Sequence, residues 1–178
     1  MVTEKLCVLA KEIGFENCCA LDPSTIELKE EVRQMCSGGG CTMYGKRWSC
    51  PPGCGTLEEC RELLKGYTHG ILVQSVAQLE DPFDAETMVE TEQLHKERFD
   101  AMRKALHDRG LHALAAGAGC CTVCRECTYP DAPCRFPEQN IASMEALGML
   151  VPEVCKANAL PYYYGENTIA YTSCFLLK

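Results

Sequence analysis

Between Gly119 and Pro137 five cysteines (Cys120, Cys121, Cys124, Cys127 and Cys134) fall within fifteen residues. Cys121, Cys124 and Cys127 repeat at C-x2-C-x2-C, and Cys134 follows after six intervening residues. Short loops of that pitch aim consecutive thiolates at one inorganic core, as bacterial ferredoxins do around an iron–sulfur cube. The match to the ferredoxin pattern is partial. The last gap is longer than the usual three residues, and the following proline, Pro137, comes three residues late. Gly117 and Gly119 let the backbone approach a bulky core whose sulfides accept N–H bonds.

Zinc is the competing occupant. Its tetrahedral four-cysteine sites commonly join two separate C-x2-C knuckles, and three consecutive ligands at this pitch suit a larger cluster better. The preferred ligands are Cys121, Cys124, Cys127 and Cys134. Cys120 reads as a packed or alternate thiol, because adjacent thiolates fit one cluster poorly.

A second constellation lies upstream: Cys36-x4-Cys41-x8-Cys50-Pro51-Pro52-Gly53-Cys54. Its glycines permit unusual dihedrals and Pro51-Pro52 fixes an extended exit. The expected ligands are Cys36, Cys41 and Cys50, with Cys54 a further candidate. Trp48 reads either as a shield against water or as core. Both loops sharing one cluster is an open alternative.

The chain holds 15 cysteines in 178 residues, a density that in a short secreted protein would mean a disulfide scaffold. Three features oppose that reading: a charged amphipathic N-terminal stretch, an odd cysteine count, and clustering rather than dispersal. Free thiols in a reducing cytoplasm are therefore expected. Cys7, Cys18, Cys19, Cys60, Cys155 and Cys174 read as small buried residues. His69, His95, His107 and His112 have no ligand spacing and are expected at the surface or a strand edge.

The formal charge of -8 argues against nucleic acid, which needs a basic face to neutralise phosphate. No apolar run reaches the ~18–20 residues of a membrane span. No Walker loop, dinucleotide fingerprint, Ser-His-Asp ordering or H-E-x-x-H occurs.

Apolar periodicity predicts helices over 2–13, 25–35, 84–109, 141–147 and 152–159. A T-x-x-E capping box predicts another from Thr56 to about Lys65. Strands are predicted over 16–21, 70–77 and 111–116, with a hairpin of 162–164 and 168–177 around Gly165-Glu166-Asn167. Alternating strands and helices imply an α/β fold: a single domain with a mixed sheet flanked by helices and two cysteine-rich metal-binding loops.

The residues Cys36-x4-Cys41-x2-Tyr44, Trp48-Ser49-Cys50-Pro51-Pro52, Cys121-x2-Cys124-x2-Cys127, Pro133-Cys134-Arg135-Phe136-Pro137 and Ser143-Met144-Glu145-Ala146 with Gly148 carry a resemblance. Together they resemble the domain of unknown function 2284 family, cysteine-rich predicted metal-binding proteins that look like those of anaerobes. The resemblance spans nearly the whole chain. It implies metal binding through Cys36, Cys41 and Cys50 in one set and Cys121, Cys124, Cys127 and Cys134 in the other. It names no reaction, and Cys54 and Cys120 lie outside its motif.

The resulting expectation is a protein with one or two [4Fe–4S] clusters, serving electron transfer or redox sensing with a redox protein as partner. The rivals are a zinc-stabilised binding module and an iron–sulfur enzyme with an open-coordination cluster.

Overall fold

A computed structural model describes residues 2–178. Helix α1 (Val2–Ile13) presents Leu6 and Ala10 to the interior and ends at Gly14, whose φ of 115° is open to glycine at low cost. It leads into strand β1 (Asn17–Leu21). A 3-10 turn, Pro23–Thr25, follows, and Leu28 then bridges Met149, so helix α2 (Glu30–Met35) begins later than periodicity suggested.

Helix α3 (Leu57–Leu64) starts on the expected capping box, in which Thr56 and Glu59 exchange side-chain and backbone hydrogen bonds. Strand β2 (His69–Gln78) is the buried run read from the sequence. The long helix α4 (Ala85–Asp108) leads to the short strand β3 (Leu114–Ala116), and helix α5 (Val151–Ala157) precedes strand β4 (Thr168–Leu177).

The chain adopts the expected α/β class. Its sheet, however, runs β1-β2-β4-β3 and is antiparallel at every strand pair rather than mixed. The cause is the path of β4. Strands β2 and β3 point the same way across α4, and β4 slides between them in the opposite direction. Parallel pairing survives among the described residues as one isolated bridge, Gly117 to Ser143.

Alternation along the strands builds a core on each face. Ile71, Val73, Phe175 and Leu177 pack against Leu6 and Ala10 of α1 and Phe99, Met102 and Leu106 of α4. Leu72, Cys174 and Leu176 face Met144, Met149, Val154 and Cys155 on the other side.

Two expected elements do not form. Residues 141–147 are turns, because their backbone is used elsewhere: Gly117 N–H donates to Ala142 O, and Met144 N–H donates to Gly117 O. Residues 162–164 form no strand. Tyr164 instead sends its hydroxyl to Oε1 of the buried Gln74, at 2.5 Å.

Candidate metal centre

The two cysteine loops meet. The first leaves α2 through a wide turn over Cys36–Gly40 and ends at the Thr56 cap. The second leaves edge strand β3 at Gly117 and returns at Ser143. Residues 47–53 of the first lie along residues 120–132 of the second. Arg47 Nη1 donates to the carbonyls of Cys121 at 3.0 Å and Cys124 at 3.3 Å. Ser49 Oγ accepts from the Cys121 amide at 3.1 Å and lies 3.8 Å from Cys50 Sγ.

Trp48 is neither core nor free surface. It is half-buried, its indole N–H bonds Ala132 O at 3.0 Å, and its ring meets Tyr129 edge-to-face at 4.9 Å. Gly53 completes the seam. A Cβ there would lie 2.7 Å from Arg47 O and 3.0 Å from the Tyr129 ring, so glycine is required by space.

Of the sequence-predicted ligands, Cys121, Cys124, Cys127 and Cys134 line one small cavity with Arg47, Trp48 and Phe136. Burial raises the Cys127 thiol, but backbone amides of Tyr129, Trp48 and Thr128 point at its sulfur. With the Arg47 charge they outweigh burial, and its pKa falls below the ordinary thiol value. Amide N–H···S bonds of this kind stabilise a thiolate, the form that binds metal.

Of the other predicted set, Cys36 is half-buried, Cys41 exposed and Cys50 buried. The charge of Cys41 acts on both Cys36 and Cys50. Burial raises the Cys36 thiol, with Cys41 and Glu145 adding to it against Arg33.

Cys120, read from the sequence as a packed or alternate thiol, is half-buried and interacts with Cys50. Its sulfur accepts a hydrogen bond from the Cys50 thiol. That bond is the largest influence lowering its pKa to about 6; burial opposes it, and Arg47 and Lys96 assist. The same bond, with burial, pushes the Cys50 thiol up.

Cys54 takes a different course, donating to Ala146 O at 3.4 Å, and burial raises its thiol. Cys60 is buried in α3 against Arg33 Nη2 at 3.1 Å. Cys155 and Cys174 are core, as expected, and Cys19 is half-buried against the same core.

Cys7 and Cys18 depart from expectation. They are not separate thiols but a disulfide, with Cα atoms 5.4 Å apart. Helix α1 packs on β1, and strand alternation turns Cys18 toward the helix while Cys19 faces the opposite core.

His95 is also a correction: it lies wholly inside, with Nδ1 3.0 Å from Ser75 Oγ and Nε2 2.7 Å from Ser173 Oγ. A signal for it existed. Thr91, His95, Phe99, Met102 and Leu106 form one buried stripe at helical spacing on α4.

No three histidine, cysteine, aspartate or glutamate side chains among the described residues are gathered tightly enough to hold a single ion. The donors themselves suit a soft metal: thiols with amide partners beside an arginine. Among the described residues no helix is long and apolar enough to cross a membrane.

Comparison with curated proteins and with solved structures gave no match to this chain. A family model described as predicted metal-binding protein does match, over residues 19–177, and so takes in both cysteine loops, part of β1, the other three strands and four of the five helices. On that match the chain belongs to the domain of unknown function 2284 family of predicted metal-binding proteins.

Proposed function

We propose that this protein is a single cysteine-rich domain holding one or two iron–sulfur clusters of the [4Fe–4S] type, and that it works in electron transfer or redox sensing. The observation that carries the reading is the convergence of Cys121, Cys124, Cys127 and Cys134 on one cavity beside Arg47. The cluster would supply a one-electron couple. The chain's part is to bind and tune it: thiolates as ligands, amides at Cys127, the Arg47 charge, and Trp48 and Phe136 limiting water. Positive charge and N–H donors near the sulfurs favour the reduced state.

The acidic chain suits a redox protein with a complementary basic face rather than nucleic acid or a membrane, and the free thiols of both loops suit the cytoplasm, where the Cys7–Cys18 disulfide is the exception. Anaerobic purification should yield a brown protein with broad absorption near ~400 nm and acid-labile sulfide matching its iron. A colourless protein with stoichiometric zinc and no sulfide contradicts the reading and favours a zinc-stabilised binding module.

A further inference from the structure

Helix α2 carries a buried cation without an anion. Arg33 is 9% exposed. Its Nη1 donates to Gly55 O at 3.0 Å and its Nη2 to Cys60 Sγ at 3.1 Å. Its Nε is buried and has no hydrogen-bond partner among the described residues. No carboxylate meets the guanidinium: Glu30 and Glu31 on the same helix are exposed, and Glu59 is engaged by the Thr56 cap. As a neutral thiol, Cys60 is a weak acceptor that brings no charge. Arginine does not shed its proton in proteins, so its burial calls for an opposite charge nearby.

The backbone contacts of Arg33 say where that charge belongs. The Cys36 amide closes α2 by donating to Arg33 O and Val32 O. At the far end of the first loop, the Cys54 amide donates to Cys50 O at 3.1 Å and the Gly55 amide to Pro52 O at 3.0 Å. The carbonyl that Arg33 grips therefore belongs to the turn that carries Cys50. One buried side chain ties together the two ends of the loop bearing Cys36, Cys41 and Cys50.

We infer that Arg33 is the clamp and counter-charge of a metal centre in the first loop, its guanidinium balanced by the negative charge of metal-bound thiolates on Cys36, Cys41 and Cys50. This rests on the reading that the thiols hold metal. It adds a positioning residue to that reading and gives each loop its own arginine, since Arg47 holds the carbonyls of Cys121 and Cys124 in the second. The consequence is a change of sign. With metal bound, the guanidinium is compensated and retains the centre. Without metal, it is an uncompensated buried charge that weakens the chain.

The test compares wild type, Arg33→Met, Arg33→Lys and Arg61→Met, all purified anaerobically; Arg61 is an exposed arginine paired with Glu58. The readouts are metal and sulfide per chain, metal affinity by chelator competition, midpoint potential, and the urea midpoint of the metal-free chain. Arg33→Met should lower affinity about 10- to 100-fold, the usual range for an outer-shell partner, and should lower the potential, because a nearby positive charge favours the reduced state. Arg33→Lys should recover part of the affinity and keep the wild-type potential. In the metal-free chain Arg33→Met should be as stable as wild type or more so, and Arg61→Met should match wild type in affinity and potential.

Wild-type affinity and potential in Arg33→Met overturn the inference. So does a metal-free Arg33→Met less stable than wild type, which would make Arg33 a structural residue balanced by a Cys60 thiolate. If circular dichroism shows metal-free wild type unfolded, the potential and the lysine variant decide. If Arg33→Met does not fold with metal, weaker affinity at wild-type potential in Arg33→Lys supports the inference, and unchanged affinity overturns it. Zinc without sulfide in wild type defeats the iron–sulfur reading alone, and the role of Arg33 is then decided by zinc affinity under the same expectations. Wild type that binds no metal overturns both.

Discussion

His95 shows how one residue links the sheet to pH. Burial holds its pKa down to about 3, with the Arg98 and Lys96 charges adding to the effect. Its two ring nitrogens share the hydroxyls of Ser75 and Ser173, which can donate or accept as a neutral imidazole requires. In the unfolded chain the same ring protonates near the ordinary value of 6.5. Between those values the unfolded state binds more protons, so stability is full above about pH 6.5 and is lost as pH falls toward 3. The slope approaches about 1.4 kcal/mol per pH unit. Urea unfolding at pH 7 and pH 5 should show this loss in wild type and a smaller one in His95→Gln, which separates the histidine from thiolate protonation common to both proteins. Equal losses would contradict the role given to His95.

At the scale of elements, the seam between the cysteine loops constrains the sequence through close packing. Gly53 has no room for a methyl group against Arg47 O, Trp48 Cα and the Tyr129 ring, whereas Gly38 has open space and a φ of -74°. Gly53→Ala should therefore cost about 1–3 kcal/mol, the usual range for overpacking, and release metal faster to a chelator. Gly38→Ala should stay within about 0.5 kcal/mol of wild type. Denaturant unfolding and the rate of bleaching with chelator measure both, and similar behaviour of the two variants would sink the seam as a determinant of metal retention.

Elements with a local cause were readable from the sequence. The Thr56 capping box, the apolar period of α1 and α4 and the buried run of β2 each carry their signal within a few residues. Residues 141–147 and 162–164 were misread because distant partners decide their backbones: Gly117 for the first, Gln74 for the second. Such contacts leave no periodicity.

At the scale of the whole molecule, a four-stranded sheet with a core on each face carries two loops whose cysteines lie far apart in sequence and together in space. Which residues are thiols, and that they come in two sets, was legible from spacing. Their meeting was not: the Cys121 amide donates to Ser49, a residue more than seventy positions upstream. The pairing of Cys7 with Cys18 escaped for a similar reason, since it depends on α1 packing over β1. X-ray absorption of the anaerobically purified chain tests most directly whether these loops hold an iron–sulfur core. The expected result is an iron edge with a sulfur shell and a second shell of neighbouring iron. A zinc edge with sulfur at about 2.3 Å and no metal–metal shell would contradict it.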